Sequence, residues 1–549
     1  MRRVEFSASR EKTINIIFPY DVRVIDIVKK IEGRKFDPIK KLWYAKPIAS
    51  NIDSILGLAS YGFAIDKDVV VALKSMQKQK AQNIIGSQAS TAEFEVEGLG
   101  GELMPFQKAG VMYASRVKRC LLGDEMGLGK SIQALATIHN LQTYPAIIVC
   151  PASLKYNWEK EAKKWLPTKT IQVITSKTKA LTADITILNY DLLKKWLGSL
   201  SQLSAKAIIY DECHLIKSNS AARTKAAKVL SKNIPVRLGL SGTPILNRPQ
   251  ELVSQLTVLG RIDDLGGLWK FLQRYCNAVQ TKWGWDMSGA SNMEELNDKL
   301  RAACYIRRLK KNVLPELPDK RRTVIAVDID NKAEYNKAQR DIIHYLSDKK
   351  GKASANAARN AEELIKIEVL KKLSVDGKMA VAEEWIENFL ETGEKLVVFA
   401  HHRDIIGRLV KKFPMAVKII GGDDAEDRQS AVEKFQTDDD CKLIICSIQS
   451  GGVGITLTAA SNVVFLELGW NPAIHDQAED RCHRIGQKDA VNAWYLLGRD
   501  TIDEDIWALI EKKRQVVDAA TDGEDGQGGD ESILAGLKRL FMGGDQKVD

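Results

Sequence analysis

The chain has 549 residues, 44% of them hydrophobic, so it can bury several cores, and its length points to three or four domains. A net charge of +10 is modest over that length; it permits a polyanionic partner without demonstrating one. Eight scattered cysteines include no CxxC pair, which argues against a zinc site or a disulfide framework and suits a reducing interior.

Met1-Arg-Arg-Val-Glu opens no secretory signal, because no apolar core follows it. Residues 1 to about 95 form a separate small α+β unit, in which β-rich runs (INIIF at 14–18, DVVVAL at 68–73) mix with basic clusters. From about 98 to 260 strand and helix patterns alternate. The strand runs are CLLG, AIIVCP, QVITS, ITILN, AIIYDE and RLGLSGTP, and each ends in turn or site residues. That pattern predicts a parallel sheet wrapped by helices. Residues 261–335 break the alternation with helical segments bearing Trp and Arg. Residues 333–392 read as mostly helical and charged, with 349–363 as a surface loop. A second alternating unit follows, through KLVVFAHH (395–402), KLIICS, NVVFLEL and VNAWYLL (491–497). Within it, 443–466 carries no charge, yet it is dense in Ser, Thr, Gln, Asn and Gly. It therefore reads as strand–loop–strand and not as a membrane span. From about 520 the chain turns acidic and glycine-rich, a flexible linker leading to Ile533, Leu534, Leu537, Leu540 and Phe541 at helical spacing. That terminal helix either docks on its own protein or binds a protein partner. The whole predicts an α/β protein with two parallel-sheet lobes, soluble and intracellular.

Three sequence features carry chemistry. GDEMGLGKS at 123–131 lies between an apolar run and a helical pattern, the order of a phosphate cradle, in which loop N–H groups and a helix N-terminus face an anion. Lys130 would reach the β- and γ-phosphates of ATP, and the Ser131 hydroxyl would ligand Mg²⁺. Asp124 stands where the strict pattern has its first glycine, and Gly127, Leu128 and Gly129 complete the loop. AIIYDECHL at 207–215 reads as a buried strand delivering two carboxylates at its C-terminal end. Asp211 would hold Mg²⁺, and Glu212 would orient and deprotonate the attacking water. His214 has no ligand partner at useful spacing and reads as a coupling or structural residue. In HDQAEDRCHRIGQ, residues 475–487, Arg481 and Arg484 are three apart on one predicted helix face, placed to touch a γ-phosphate in a closed state. ATP is expected in the cleft between the two lobes.

This ordered set resembles the Swi/Snf-type branch of the superfamily-two helicase-like ATPases, over roughly residues 98–510. The resemblance implies two RecA-like lobes with helical insertions, and it assigns Gln107 of LMPFQKAG to adenine. VCPASLKYNWEKE, ITILNYDLL and LSGTPILNRPQEL are similar to the DNA-contact and coupling motifs of the first lobe. GGDDAEDRQSAVEKFQ, SGGVGITLTAASNVV and WNPAIHDQAEDRCHRIGQ are similar to motifs of the second. Ser153, Lys155 and Thr456 then become DNA-backbone contacts, and Ser241, Thr243, Trp470 and Asn471 the residues that couple closure to a step.

TKWGWDMSGASNMEEL and YIRRLKKNVLPELPDKRR further resemble the annealing-helicase subfamily, and the first 95 residues resemble its HARP module. In that module Lys29, Lys30, Arg34, Lys35, Lys40 and Lys41 interleave with Phe36, Trp43 and Tyr44, which suits phosphate contact plus base stacking. The expected division is 1–95, 98–260, 261–392 (insertions and linker), 393–515 and 516–549. The expected activity is that of a DNA-dependent ATPase moving on duplex or forked DNA without sequence specificity, with annealing or fork remodelling in replication or repair. A single-strand- or RNA-directed helicase, or a junction-binding protein with weak ATPase, stays open as an alternative. The location is cytoplasm or nucleoid in a prokaryote or phage, and the nucleus in a eukaryote.

Overall fold

The structure, a computed structural model, describes the chain apart from residues 1, 9–12, 49–50, 176, 246–247, 283, 349–354, 452–453 and 523–549. The predicted terminal helix at 533–541 therefore lies outside the described residues. The chain folds as two units, one built from residues 1–125 and 129–309, the other mainly from 310–517. Among the described residues no helix is long and apolar enough to cross a membrane.

The first unit begins with a five-stranded sheet: β1 (Arg3–Phe6), β2 (Ile14–Ile17), β3 (Lys35–Asp37), β4 (Leu42–Ala45) and β5 (Ala64–Ile65), in the order β3-β4-β2-β1-β5. Only the β1–β5 pair is parallel. Val4, Ile14 and Ile16 face a core shared with Val24, Val28 and Leu73. The run DVVVAL is not a strand. It opens the 22-residue helix Lys67–Gln88, where Val69 and Leu73, four apart, fall on one buried face. The β-branched run is outweighed by the Lys- and Gln-rich helix formers that continue it.

The rest of the first unit is a parallel sheet of β6 (Arg119–Leu122), β7 (Ala146–Cys150), β8 (Ile171–Val173), β9 (Ile185–Asn189), β10 (Ala207–Asp211) and β11 (Val236–Leu240), the six strands that the alternation predicts. Beyond them β12 (Val279–Thr281) and β13 (Gly284–Asp286) pair as an antiparallel ribbon. A seventh strand, β14 (Tyr305–Ile306), joins the edge beside β6, giving the order β14-β6-β11-β10-β7-β9-β8. Two residues are too few to announce a strand in sequence. What holds them is the backbone ladder, with Leu121 N–H donating to Cys304 O and Gly123 N–H to Ile306 O.

The second unit is a six-stranded, all-parallel sheet of β15 (Lys320–Val327), β16 (Leu396–Ala400), β17 (Val417–Ile419), β18 (Leu443–Ser447), β19 (Asn462–Phe465) and β20 (Val491–Gly498), ordered β15-β20-β19-β16-β18-β17. The stretch 261–392, expected as one block of insertions and linker, is divided: β14 belongs to the first sheet and β15 to the second. The surface loop expected at 349–363 is also corrected. Residues from Ala355 onward belong to the helix Ala355–Leu390, as their alanine-rich composition favours.

Phe399, Phe465 and Tyr495 stack through the middle of the second sheet, with ring centroids 5.1 and 4.6 Å apart. Phe465 is fully buried, so Phe465→Ala is expected to lower the stability of this unit by about 3–5 kcal/mol, read from its urea unfolding midpoint.

Candidate nucleotide and nucleic-acid sites

The loop after β6 turns through Gly127 (φ +85°) and Gly129 (φ +75°), a conformation that suits glycine, and feeds the helix Lys130–Asn140. The Lys130 ammonium folds back over this loop, donating to the carbonyl oxygens of Asp124 (2.7 Å) and Glu125 (3.3 Å). Burial lowers its pKa against the pull of Glu212, Asp124 and Asp211. Gln107 lies beside the same loop: a Cβ at Gly129 would come within 2.5 Å of its Nε2. Its Oε1 accepts from the Met104 N–H at 3.0 Å, which fixes the side chain at the start of the helix Pro105–Val117.

Asp124 is wholly buried, and its carboxylate forms an ion pair with Arg308, whose Nε donates to Oδ1 at 2.9 Å. Gln133 closes the cluster. Its Nε2 donates to Asp124 Oδ2 at 2.9 Å, and its Oε1 accepts from Arg308 Nη2 at 2.7 Å. The residue in place of the first loop glycine thus anchors the loop to the chain segment after β14. Arg308 and Gln133 are absent from the sequence reading, because a pair 184 residues apart leaves no local signal.

Asp211 ends β10, and Glu212 follows it in the left-handed conformation (φ +48°). Three groups organise the pair. The Trp158 indole N–H donates to Asp211 Oδ2 at 2.7 Å, the Glu212 backbone N–H donates to Asp211 Oδ1 at 3.0 Å, and His214 Nδ1 lies 3.2 Å from Glu212 Oε2. Burial first, and then the adjoining Glu212 carboxylate, push the Asp211 carboxyl up to about 7. Two acids so crowded fit a divalent cation, which supplies the missing positive charge. The glycine-lined loop with its lysine, and this under-compensated carboxylate, together fit a magnesium–nucleotide pair.

His214 Nδ1 also lies 3.1 Å from Ser241 Oγ, which accepts the Thr243 N–H at 3.2 Å. Ser241 and Thr243, just past β11, are thereby joined to Glu212 through His214. Ser153 is exposed in the turn Ala152–Leu154, and Lys155 opens the helix Lys155–Trp165 that carries Trp158.

In the second unit the helix Pro472–Glu479 stops before both arginines, so they do not share the helical face that the sequence predicts. The backbone turns away when the Arg481 carbonyl accepts the Leu457 N–H at 2.8 Å. The arginines converge all the same. Each sends Nη1 to the Ile455 carbonyl at 3.3 Å, and Arg484 also reaches the Thr456 hydroxyl at 2.6 Å. Burial lowers the Arg484 pKa. Just before them Glu479 and Asp480 are buried against Lys310, Lys320 and Arg322. Burial alone would raise Glu479, but Lys320 and Arg322 hold it below the usual carboxylate range. Asn471 caps its helix by accepting the Ile474 N–H at 3.0 Å, and the Trp470 ring lies 4.3 Å from the Lys371 ammonium.

A family model described as the SNF2-related domain matches residues 43–376, and one described as the helicase conserved C-terminal domain matches residues 377–486. The Caenorhabditis elegans homolog of SWI/SNF-related matrix-associated actin-dependent regulator of chromatin subfamily A-like protein 1 is 34% identical over 91% of this chain and 73% of its own length. The Xenopus laevis protein of that name is 37% identical over 76% of this chain, and the human DNA annealing helicase and endonuclease ZRANB3 is 35% identical over 78%. The match spans 44% of the Xenopus protein and 41% of the human one. Strand-end acids, phosphate loop and paired arginines therefore sit in a chain that belongs to the SNF2-related family of helicase-like ATPases.

Proposed function

We propose that the protein is a DNA-dependent ATPase that moves on duplex or forked DNA and anneals or remodels branched structures in replication or repair. The observation that carries this reading is that Lys130, Asp211, Glu212 and Ser241 all lie at or just beyond the C-terminal ends of β6, β10 and β11, three neighbouring strands of one parallel sheet. On ATP binding, Lys130 exchanges its bonds to the loop carbonyls for β- and γ-phosphate oxygens. Ser131 and Asp211 would hold Mg²⁺, which would supply positive charge to offset that of the phosphates. Glu212, with His214 Nδ1 3.2 Å from its Oε2, takes the proton of the attacking water. Arg481 and Arg484 meet the γ-phosphate only in a closed state, which makes closure the rate switch.

DNA contact is assigned to Ser153 and Lys155 in the first lobe and to Thr456 in the second. The bond that Arg484 donates to the Thr456 hydroxyl gives a DNA contact a direct route to an arginine. In the N-terminal domain Phe36 is half exposed on the ribbon of β3 and β4, with Trp43 5.2 Å away; Lys35 on β3 and Lys40 and Lys41 in the turn between the two strands are exposed, as are Lys29 and Lys30. That surface suits stacking on an unpaired base beside phosphates at a junction. The relative named as a DNA annealing helicase and endonuclease supports the same reading.

Steady-state hydrolysis measured with no nucleic acid, blunt duplex, a fork, single-stranded DNA and single-stranded RNA tests it. Duplex and fork are expected to stimulate most; a response to single-stranded DNA or RNA alone assigns a conventional helicase instead. Lys130→Ala is expected to reduce stimulated turnover at least about a hundredfold, and wild-type turnover in that variant overturns the site. Arg481→Ala and Arg484→Ala are each expected to lower DNA-stimulated turnover by about 10³-fold or more while leaving nucleotide affinity nearly unchanged. Phe36→Ala is expected to weaken the response to a fork by about fivefold or more and to spare the response to blunt duplex.

A further inference from the structure

Trp158 lies on the helix Lys155–Trp165, one turn after Lys155. It is among the largest fully buried side chains, with 1% of its surface exposed, and packing alone would account for a tryptophan there. Its indole N–H, however, points at one atom, Oδ2 of Asp211, at 2.7 Å. The other carboxylate oxygen is held by the Glu212 backbone N–H at 3.0 Å. Asp211 is therefore clamped from two sides, and one clamp arm is rigidly attached to a helix whose N-terminal end carries exposed Tyr156 beside Lys155. The carbonyl of the same residue accepts from the Tyr190 hydroxyl at 2.6 Å, so backbone and side chain have separate restraints.

We propose that Trp158 is a positioning residue that ties DNA contact at the start of this helix to the orientation of the carboxylate that holds Mg²⁺. This rests on the reading that Asp211 is the metal-holding acid and that the Lys155 turn meets DNA. A shift of the helix on DNA moves the indole, and the indole carries Oδ2 with it because no other side chain donates to that oxygen among the described residues. The role needs the N–H, not only the ring.

The test is binding, not turnover: the affinity of the full chain for a fluorescent N-methylanthraniloyl-ADP, measured with EDTA, with Mg²⁺, and with Mg²⁺ plus blunt duplex. In wild type, Mg²⁺ is expected to tighten binding and duplex to tighten it further. Trp158→Phe, which keeps a ring and removes the donor, is expected to reduce the Mg²⁺-dependent gain about tenfold and to abolish the effect of duplex, with the affinity in EDTA unchanged. Trp158→His, which restores a ring N–H, is expected to recover part of the gain. In an Asp211→Asn background Trp158→Phe should add no further loss, since both act through one bond. A Trp158→Phe protein that keeps the full gain overturns the proposal, even if its melting temperature falls, and leaves the role of Asp211 standing. So do losses that add in the double variant. If Asp211→Asn retains the Mg²⁺-dependent gain, the assignment of the metal-holding acid fails, and the proposal fails with it.

Discussion

A buried carboxylate is costly unless a donor or a cation meets it, and this chain buries acids at the points where its chemistry is placed. Asp124 is met by Arg308 and Gln133, Asp211 by Trp158 and a backbone N–H, and Glu479 and Asp480 by Lys310, Lys320 and Arg322. In each case the acid and at least one of its partners come from distant parts of the chain. A cluster of this kind forms only when the surrounding sheet is complete, so it reports the assembled fold. Asp211 differs from the others. Among the described residues its oxygens meet neutral N–H donors and not an ion-paired cation, and burial with the adjoining Glu212 carboxylate pushes its carboxyl up.

The same constraint explains how short or irregular segments come to hold functional groups. β14 is two residues long, yet Arg307 and Arg308 follow it directly. Arg307 donates to the carbonyls of Gly123 and Gly242, and Arg308 to Asp124, so the residues after one two-residue edge strand fix the loop after β6 and the turn after β11 together. In the second unit the helix ends at Glu479, and the two arginines lie on turns beyond it. Turns are normally poor at holding side chains. Here the carbonyl of Ile455 takes a bond from each arginine, and the backbone of Arg481 is pinned to Leu457.

Much of this was legible in the sequence because parallel sheets are buried on both faces and leave continuous apolar runs. AIIVC, ITILN, AIIYD, LVVFA and LIICS announce themselves, and Asp211 and Glu212 are placed by the apolar run before them. The glycine turn between β6 and the helix Lys130–Asn140 is legible for the same reason. The register of Arg481 and Arg484 was misread, since a three-residue spacing does not say where a helix stops. DVVVAL reads as a strand because β-branched residues favour one, whereas the long run of helix formers after it decides the element. Nothing local could reveal Arg308 against Asp124 or Trp158 against Asp211. In sequence the first looks like one basic residue in a basic stretch, and the second like a core aromatic.

The position of Asp124 bears on how the phosphate loop can move. A glycine at that place would leave the start of the loop free to adopt several conformations. An aspartate tied to Arg308 and Gln133 fixes it before nucleotide arrives, and Gln133 lies on the helix that begins with Lys130. Loop start and helix are therefore cross-linked, while Gly127 and Gly129 between them retain the left-handed conformations a phosphate cradle needs. A loop so held has little conformational entropy left to lose on binding a ligand. The buried ion pair is weak evidence of stability gained, since desolvation offsets most of its attraction. Its worth lies in the single conformation it imposes on the residues that precede Lys130.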